Sequence, residues 1–100
     1  MPPIGTATAL GNGPFNGFVP EALTTLFELS IRGLESVVHV VVSNLPEDDG
    51  FEAETSIFAV EPDGSLDIDF YLKNDGPLLE LAGDLDARGV IEALGYEILA

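Results

Sequence analysis

The succession of apolar and polar positions along the chain predicts elements in the order (β)αβββα(β). Ile4–Leu10 alternates threonine with alanine and reads as a weak strand. From Pro20 to about Arg32, the residues Leu23, Leu26, Phe27, Ile31 and Leu34 share one stripe at helical spacing. Glu21, Thr24, Thr25, Glu28 and Arg32 lie opposite. Pro20 suits the first helical position, Gly33 suits a stop, and Glu28 and Arg32 are spaced to pair. A helix is predicted there. Val37–Val42 (VVHVVV) is almost continuously β-branched, as in a strand covered on both faces, and belongs near the sheet centre.

Phe51–Val60 and Leu66–Lys73 predict a hairpin around Asp63-Gly64, a dipeptide favoured in two-residue turns. In that register Ile57 faces Phe70, Ala59 faces Ile68 and Thr55 faces Leu72, which makes one apolar face. Glu52, Glu54, Phe58, Val60, Asp67, Asp69, Tyr71 and Lys73 take the other face, with Glu54 opposite Lys73. Leu78–Ala82 is short and fits either a helix or a strand. Asp84 is placed to cap a helix over Leu85–Leu94, Gly95 to end it, and Tyr96–Leu99 to add a short strand. Together these predict one α+β domain over residues 1–100, a mainly antiparallel sheet of three to five strands with two helices.

Composition changes this picture in one respect. The 100 residues include 18 Asp and Glu against three Lys and Arg, a net charge of -15, yet 46% are hydrophobic. Mean hydropathy is +0.30, so this is a folding chain and not an acidic disordered tail. The first 34 residues hold only two of the 18 acids, Glu21 and Glu28. Direct binding to nucleic acid or to an anionic membrane is disfavoured, because both require clustered Lys and Arg. Cysteine is absent, which removes disulfides and thiolate chemistry. No signal-peptide pattern or run of membrane-spanning length is present, so a cytoplasmic protein is expected.

Catalytic chemistry finds little support. His39, the one histidine, lies inside the apolar strand and reads as a hydrogen-bonded imidazole in or beside the core. No Gly-x-Ser-x-Gly elbow accompanies it. Asp67 and Asp69 form a carboxylate pair without the aromatic platforms of a carbohydrate cleft. Glu47-Asp48-Asp49 and Asp63, Asp67 and Asp69 offer oxygen ligands, but not at the spacing of a calcium loop. The Gly11–Gly17 stretch (GNGPFNG) lacks phosphate-loop spacing and a following lysine. A non-enzymatic protein without cofactor or metal is expected.

The acidic surface remains. Glu47, Asp48, Asp49, Glu52, Glu54, Asp67 and Asp69, with Phe58 and Tyr71 as apolar anchors, make a surface suited to a basic protein partner. Acids two apart on a strand are separated by about 7 Å, close to two phosphate steps along a DNA strand. The sharpest expectation is a nucleic-acid mimic that occludes the basic groove of a DNA- or RNA-binding protein. A phage-encoded anti-defence inhibitor fits this size and charge. Two alternatives stand beside it. The apolar first third and Tyr96–Ala100 would form the contact of a homodimer, as in an assembly subunit or a secretion-type chaperone. Otherwise the acidity is an adaptation to high salt and carries no function of its own.

Overall fold

The computed structural model describes residues 2–48 and 50–99. Among them the elements are β1 (Gly5–Asn12), β2 (Leu23–Ile31), β3 (Val37–Leu45), β4 (Glu54–Ala59), α1 (Ile68–Asn74), β5 (Leu79–Ala82), α2 (Ala87–Ala93) and β6 (Tyr96–Leu99). They build one six-stranded sheet in the spatial order β5-β4-β3-β2-β1-β6. Neighbouring strands are antiparallel except β1 and β6, which run parallel. The mainly antiparallel sheet with two helices agrees with the α+β pattern, but the number of strands and the order of elements differ from expectation.

The β-branched run sits in β3, third in the sheet, and Val40, Val41 and Val42 are all buried. Side chains alternate along a strand, so these three feed two cores. Val40 and Val42 join Ala7, Phe27, Leu29 and Ile57, beneath Val90 and Ile91 of α2. Val41 joins Leu26 and Val60 on the opposite face, where Phe15, Phe18 and Phe58 pack on them.

The segment expected to be helical from Pro20 is instead β2. Its residues satisfy a period of two as well as a helical one. Phe27 and Leu29 share the α2 face with Thr25 and Ile31, while Leu26 takes the other. Leu29, which the helical stripe omits, is buried; Leu23 and Leu34, which it includes, are 73% and 56% exposed. As a strand the segment gains a hydrogen-bonded ladder on each side, to β1 and to β3.

The expected hairpin departs at its turn. Val60 bridges Leu66, one residue away from the two-residue-turn register. The Glu61 N–H donates to the Ser65 carbonyl and the Gly64 N–H to the Glu61 carbonyl, both at 2.8 Å. Gly64 adopts φ 92°, the left-handed position of a bulged three-residue loop. The Asp63 carboxylate accepts from the Ser65 N–H at 2.9 Å and its hydroxyl at 2.6 Å. The Ser65 hydroxyl, then its N–H, hold the Asp63 carboxyl below its usual range.

Beyond Leu66 the chain leaves the sheet. Asp67 caps α1 by accepting from the Phe70 N–H at 3.1 Å. The helix ends where the Gly76 N–H meets the Tyr71 carbonyl at 3.0 Å and the Asp75 N–H meets the Leu72 carbonyl at 3.4 Å, a Schellman closure. β5 therefore takes the place beside β4: Ile57 pairs with Leu79 and Thr55 with Leu81, not with Phe70 and Leu72. Glu54 is aligned with Ala82 rather than Lys73. The second helix is capped by Asp86, not by Asp84: the Asp86 carboxylate accepts from the Gly89 N–H at 3.0 Å, and the helix begins at Ala87 rather than Leu85. Gly95 ends it at φ 105°, and Tyr96–Leu99 joins β1 as expected of a final strand.

A buried polar link ties β3 and β4 to the approach of α2. Thr55 Oγ1 accepts from Asn44 Nδ2 at 3.0 Å and the Leu85 N–H at 2.9 Å, and donates to the Gly83 carbonyl at 2.8 Å. Thr55→Val strips these partners at nearly constant shape and is expected to cost about 2 kcal/mol. The readout is a lower urea midpoint at unchanged slope. Asp63 gives a pH signature. A depressed carboxyl pKa stabilises the folded state above the ordinary Asp range, and that contribution is lost as pH falls through the folded value. Asp63→Ala should therefore lower the Tm at neutral pH and converge with the parent protein in acid.

Candidate functional site

The sheet face opposite α2 carries three lines of side chains across its strands. Leu26, Val41 and Phe58 form an apolar line. Thr24, Ser43, Ser56 and Glu80 form a polar line beside it, and Leu45, Glu54 and Ala82 a third. Tyr71 of α1 stacks on Phe58 at 6.1 Å between ring centroids and 23° between planes. Phe18 meets Phe58 edge-on at 5.1 Å and 84°. These rings border an open-sided cavity of about 380 Å³ with Ser43, Ser56 and Glu80 of the polar line and Leu45 and Glu54 of the third, walled further by Val19, Leu66 and Pro77.

Glu54 and Glu80 bring two carboxylates to this cavity. Ser56 Oγ donates to Glu54 Oε1 at 3.3 Å. Ser43, only 8% exposed, lines the floor, and its hydroxyl makes no hydrogen bond among the described residues. A second hollow of about 490 Å³ shares Leu45, Glu54 and Glu80 and continues to Glu52 and Phe51. The two form one groove over β4 and β5, and no lysine or arginine lines either.

Four of the expected partner-binding residues meet here: Glu52, Glu54, Phe58 and Tyr71. Asp67 and Asp69 do not share their face. Asp67 is spent on the helix cap and Asp69 lies in the first turn of α1, so the pair lacks the strand spacing that resembles DNA phosphates. Glu47 and Asp48 lie in the connector after β3, where Asp48 exchanges backbone hydrogen bonds with Phe51 at 3.1 and 2.9 Å. Asp49 lies outside the described residues. Phe58 is half-buried within the smaller core, so its ring is a wall of the cavity and not a free anchor.

Glu80, Ser43 and Phe18 are additions to the expected set. A signal for Glu80 exists: if Leu79 and Leu81 are core positions of a strand, Glu80 faces away from them, beside Ser56. Phe18 has no such signal, because its loop is held over the sheet by distant contacts. One is the Leu66 side chain, which would lie 2.6 Å from a Cβ on Gly17.

Other chemistry is sparse. His39 Nε2 lies 3.5 Å from Glu28 Oε2, its cross-strand neighbour, as an imidazole paired beside the core. No group of three or more His, Cys, Asp or Glu among the described residues is arranged to hold a metal ion. A wider open depression of about 720 Å³ contains Asp84 and Asp86, of which Asp86 is engaged in capping α2. No helix among the described residues is long and apolar enough to cross a membrane. Comparison with protein families, curated proteins and solved structures finds no match for the chain.

Gly17 tests how the cavity wall is held. At φ 96°, with Leu66 so close, Gly17→Ala is strained on two counts and is expected to cost about 2 kcal/mol. Because Phe18 is the next residue, near-ultraviolet circular dichroism of the variant should change together with its urea midpoint.

Proposed function

We propose that this protein is a small non-enzymatic binding module that presents the groove over β4 and β5 to a basic surface on another protein. The observation that carries the proposal is the convergence of Glu52, Glu54 and Glu80 on the cavity and hollow beside Phe58 and Tyr71, with no cation among the lining residues. The net charge of -15 draws a basic partner from a distance and speeds encounter. Apolar contact within the groove then slows departure. The basic groove of a nucleic-acid-binding protein is the surface that this charge matches best, so occlusion of such a groove is the proposed mechanism. Its support is net charge together with the groove, not a phosphate-like spacing of strand acids. A cysteine-free chain suits the reducing cytoplasm, which is the proposed compartment.

Self-association is the second reading, and α1 favours it: none of its residues is buried, and Ile68 and Leu72 are 59% and 69% exposed. Against it stands the repulsion between two copies of the same highly charged chain.

Polyarginine is a suitable first probe, titrated calorimetrically from about 50 to about 200 mM salt. Affinity should fall at least tenfold across that range. Replacing Glu52, Glu54 and Glu80 together by Gln should remove most of the low-salt affinity. The same replacement at Glu35, Glu92 and Glu97 changes net charge equally and should remove little. Equal losses in the two variants would show that net charge, and not the groove, does the binding.

A further inference from the structure

We infer that the cavity between Phe58, Tyr71 and Glu80 is the seat of a single arginine side chain from the partner. This rests on the binding role proposed above and specifies the contact at its centre. At about 380 Å³ the cavity has room for a side chain, not for a folded surface. Its walls and floor differ in chemistry, and arginine is the side chain that matches both.

The walls are aromatic. Tyr71 and Phe58 lie nearly parallel, and Phe18 stands perpendicular to Phe58. Ring faces attract a cation electrostatically, and the same apolar surface accepts the methylene stem of a long basic side chain. The floor and rim present hydrogen-bond acceptors. Glu54 and Glu80 come from adjacent antiparallel strands and stand diagonally across the ladder, since Glu54 is aligned with Ala82 and Glu80 with Ser56. Ser43, 8% exposed and without a hydrogen-bond partner among the described residues, lies next to Ser56 along the polar line and lines the cavity.

A guanidinium carries five N–H donors and no acceptor, in a planar fork. Two carboxylates and a free hydroxyl are the complement of that fork, and its flat face stacks on a ring. An ammonium is a compact, strongly hydrated charge with neither a planar face to stack on a ring nor a fork of donors to share among acceptors. A purely apolar side chain would desolvate Ser43 and the two glutamates and give nothing back. A second copy of this chain is a poor donor, because its few cations arrive with the full acidic charge around them.

The test uses the full chain labelled with ¹⁵N and titrated with N-acetyl-Gly-Arg-Gly-amide at low salt. A citrulline peptide of the same shape without charge, and a lysine peptide, serve as comparisons. The arginine peptide should produce saturable amide shifts at Ser43, Ser56, Tyr71 and Glu80. Citrulline should bind at least tenfold more weakly, since it loses both the cation–ring attraction and the charge-assisted hydrogen bonds. Glu80→Gln, at an exposed edge position, should weaken the arginine peptide about fivefold to tenfold while the remaining spectrum stays in place. Citrulline binding as tightly as arginine would overturn the inference, and lysine binding as tightly would overturn the choice of guanidinium. Arginine shifts that avoid the cavity, in a protein that still binds polyarginine through its groove, would sink the arginine seat alone. Loss of polyarginine binding itself would instead remove the function on which it rests.

Discussion

The constraint on which this structure depends is a central strand that must be dry on both sides. Val40, Val41 and Val42 point alternately to the two faces of the sheet and all are buried, so neither face can be left to water. A chain of this length has little with which to cover six strands twice, since its two helices are seven residues each. α2 is placed over one face and supplies Val90 and Ile91 to the larger core. The other face is roofed by the loop that carries Phe15 and Phe18, with α1 at its margin. That roof closes over Leu26, Val41 and Val60 and ends before the sheet edge. The cavity with its serines and glutamates is what remains uncovered where roof and edge fail to meet.

The acidic charge adapts to the same constraint. The radius of gyration, 13.3 Å, is close to the value of about 13 Å expected of an ordinary folded chain of this length. Among the described residues no acid is buried; the buried polar ones are Thr24, Ser43, Asn44, Thr55 and Ser56. Neutral hydroxyl and amide groups do the interior polar work and carboxylates are kept to rims, caps and turns. Asp67 and Asp86 each satisfy a helix N-terminus, and Asp63 holds a turn, so part of the acidity is structural in the narrow sense. Glu54 and Glu80 cap no helix and hold no turn; they line the groove over β4 and β5.

The pattern of residues was most legible where one physical signal dominated. The β-branched run of β3, the glycine that ends α2 and the final strand read correctly in kind, whereas the cap of α2 falls at Asp86, two residues beyond the expected Asp84. Segments with two competing periods read less well. Phe27, Leu29 and Ile31 satisfy a strand as readily as their neighbours satisfy a helix, and the decision rests with β1 and β3, which no local pattern contains. Leu66, Ile68, Phe70 and Leu72 alternate like a strand, yet Asp67 and the Asp75-Gly76 closure cut a helix from them. The candidate site inherits that error. Glu54, Phe58 and Tyr71 were placed on one surface for a reason that proved different: a helix lays Tyr71 over Phe58, where strand pairing was expected to set them side by side. Glu80 became visible only when β5 took the vacated place.

The parallel pairing of β1 with β6 has a consequence for how the chain is made. β1 precedes β6 by most of the chain, so during synthesis its outer edge finds its partner only when β6 exists. Through that interval it is an open strand edge, the feature by which nascent chains most readily stick to one another. The residues that give β1 so faint a strand signal, Thr6, Ala7, Thr8 and Ala9, are small and only mildly apolar. An edge built from them offers little for a wrong neighbour to grip. What reads as weakness in a finished strand is discretion in an unfinished one.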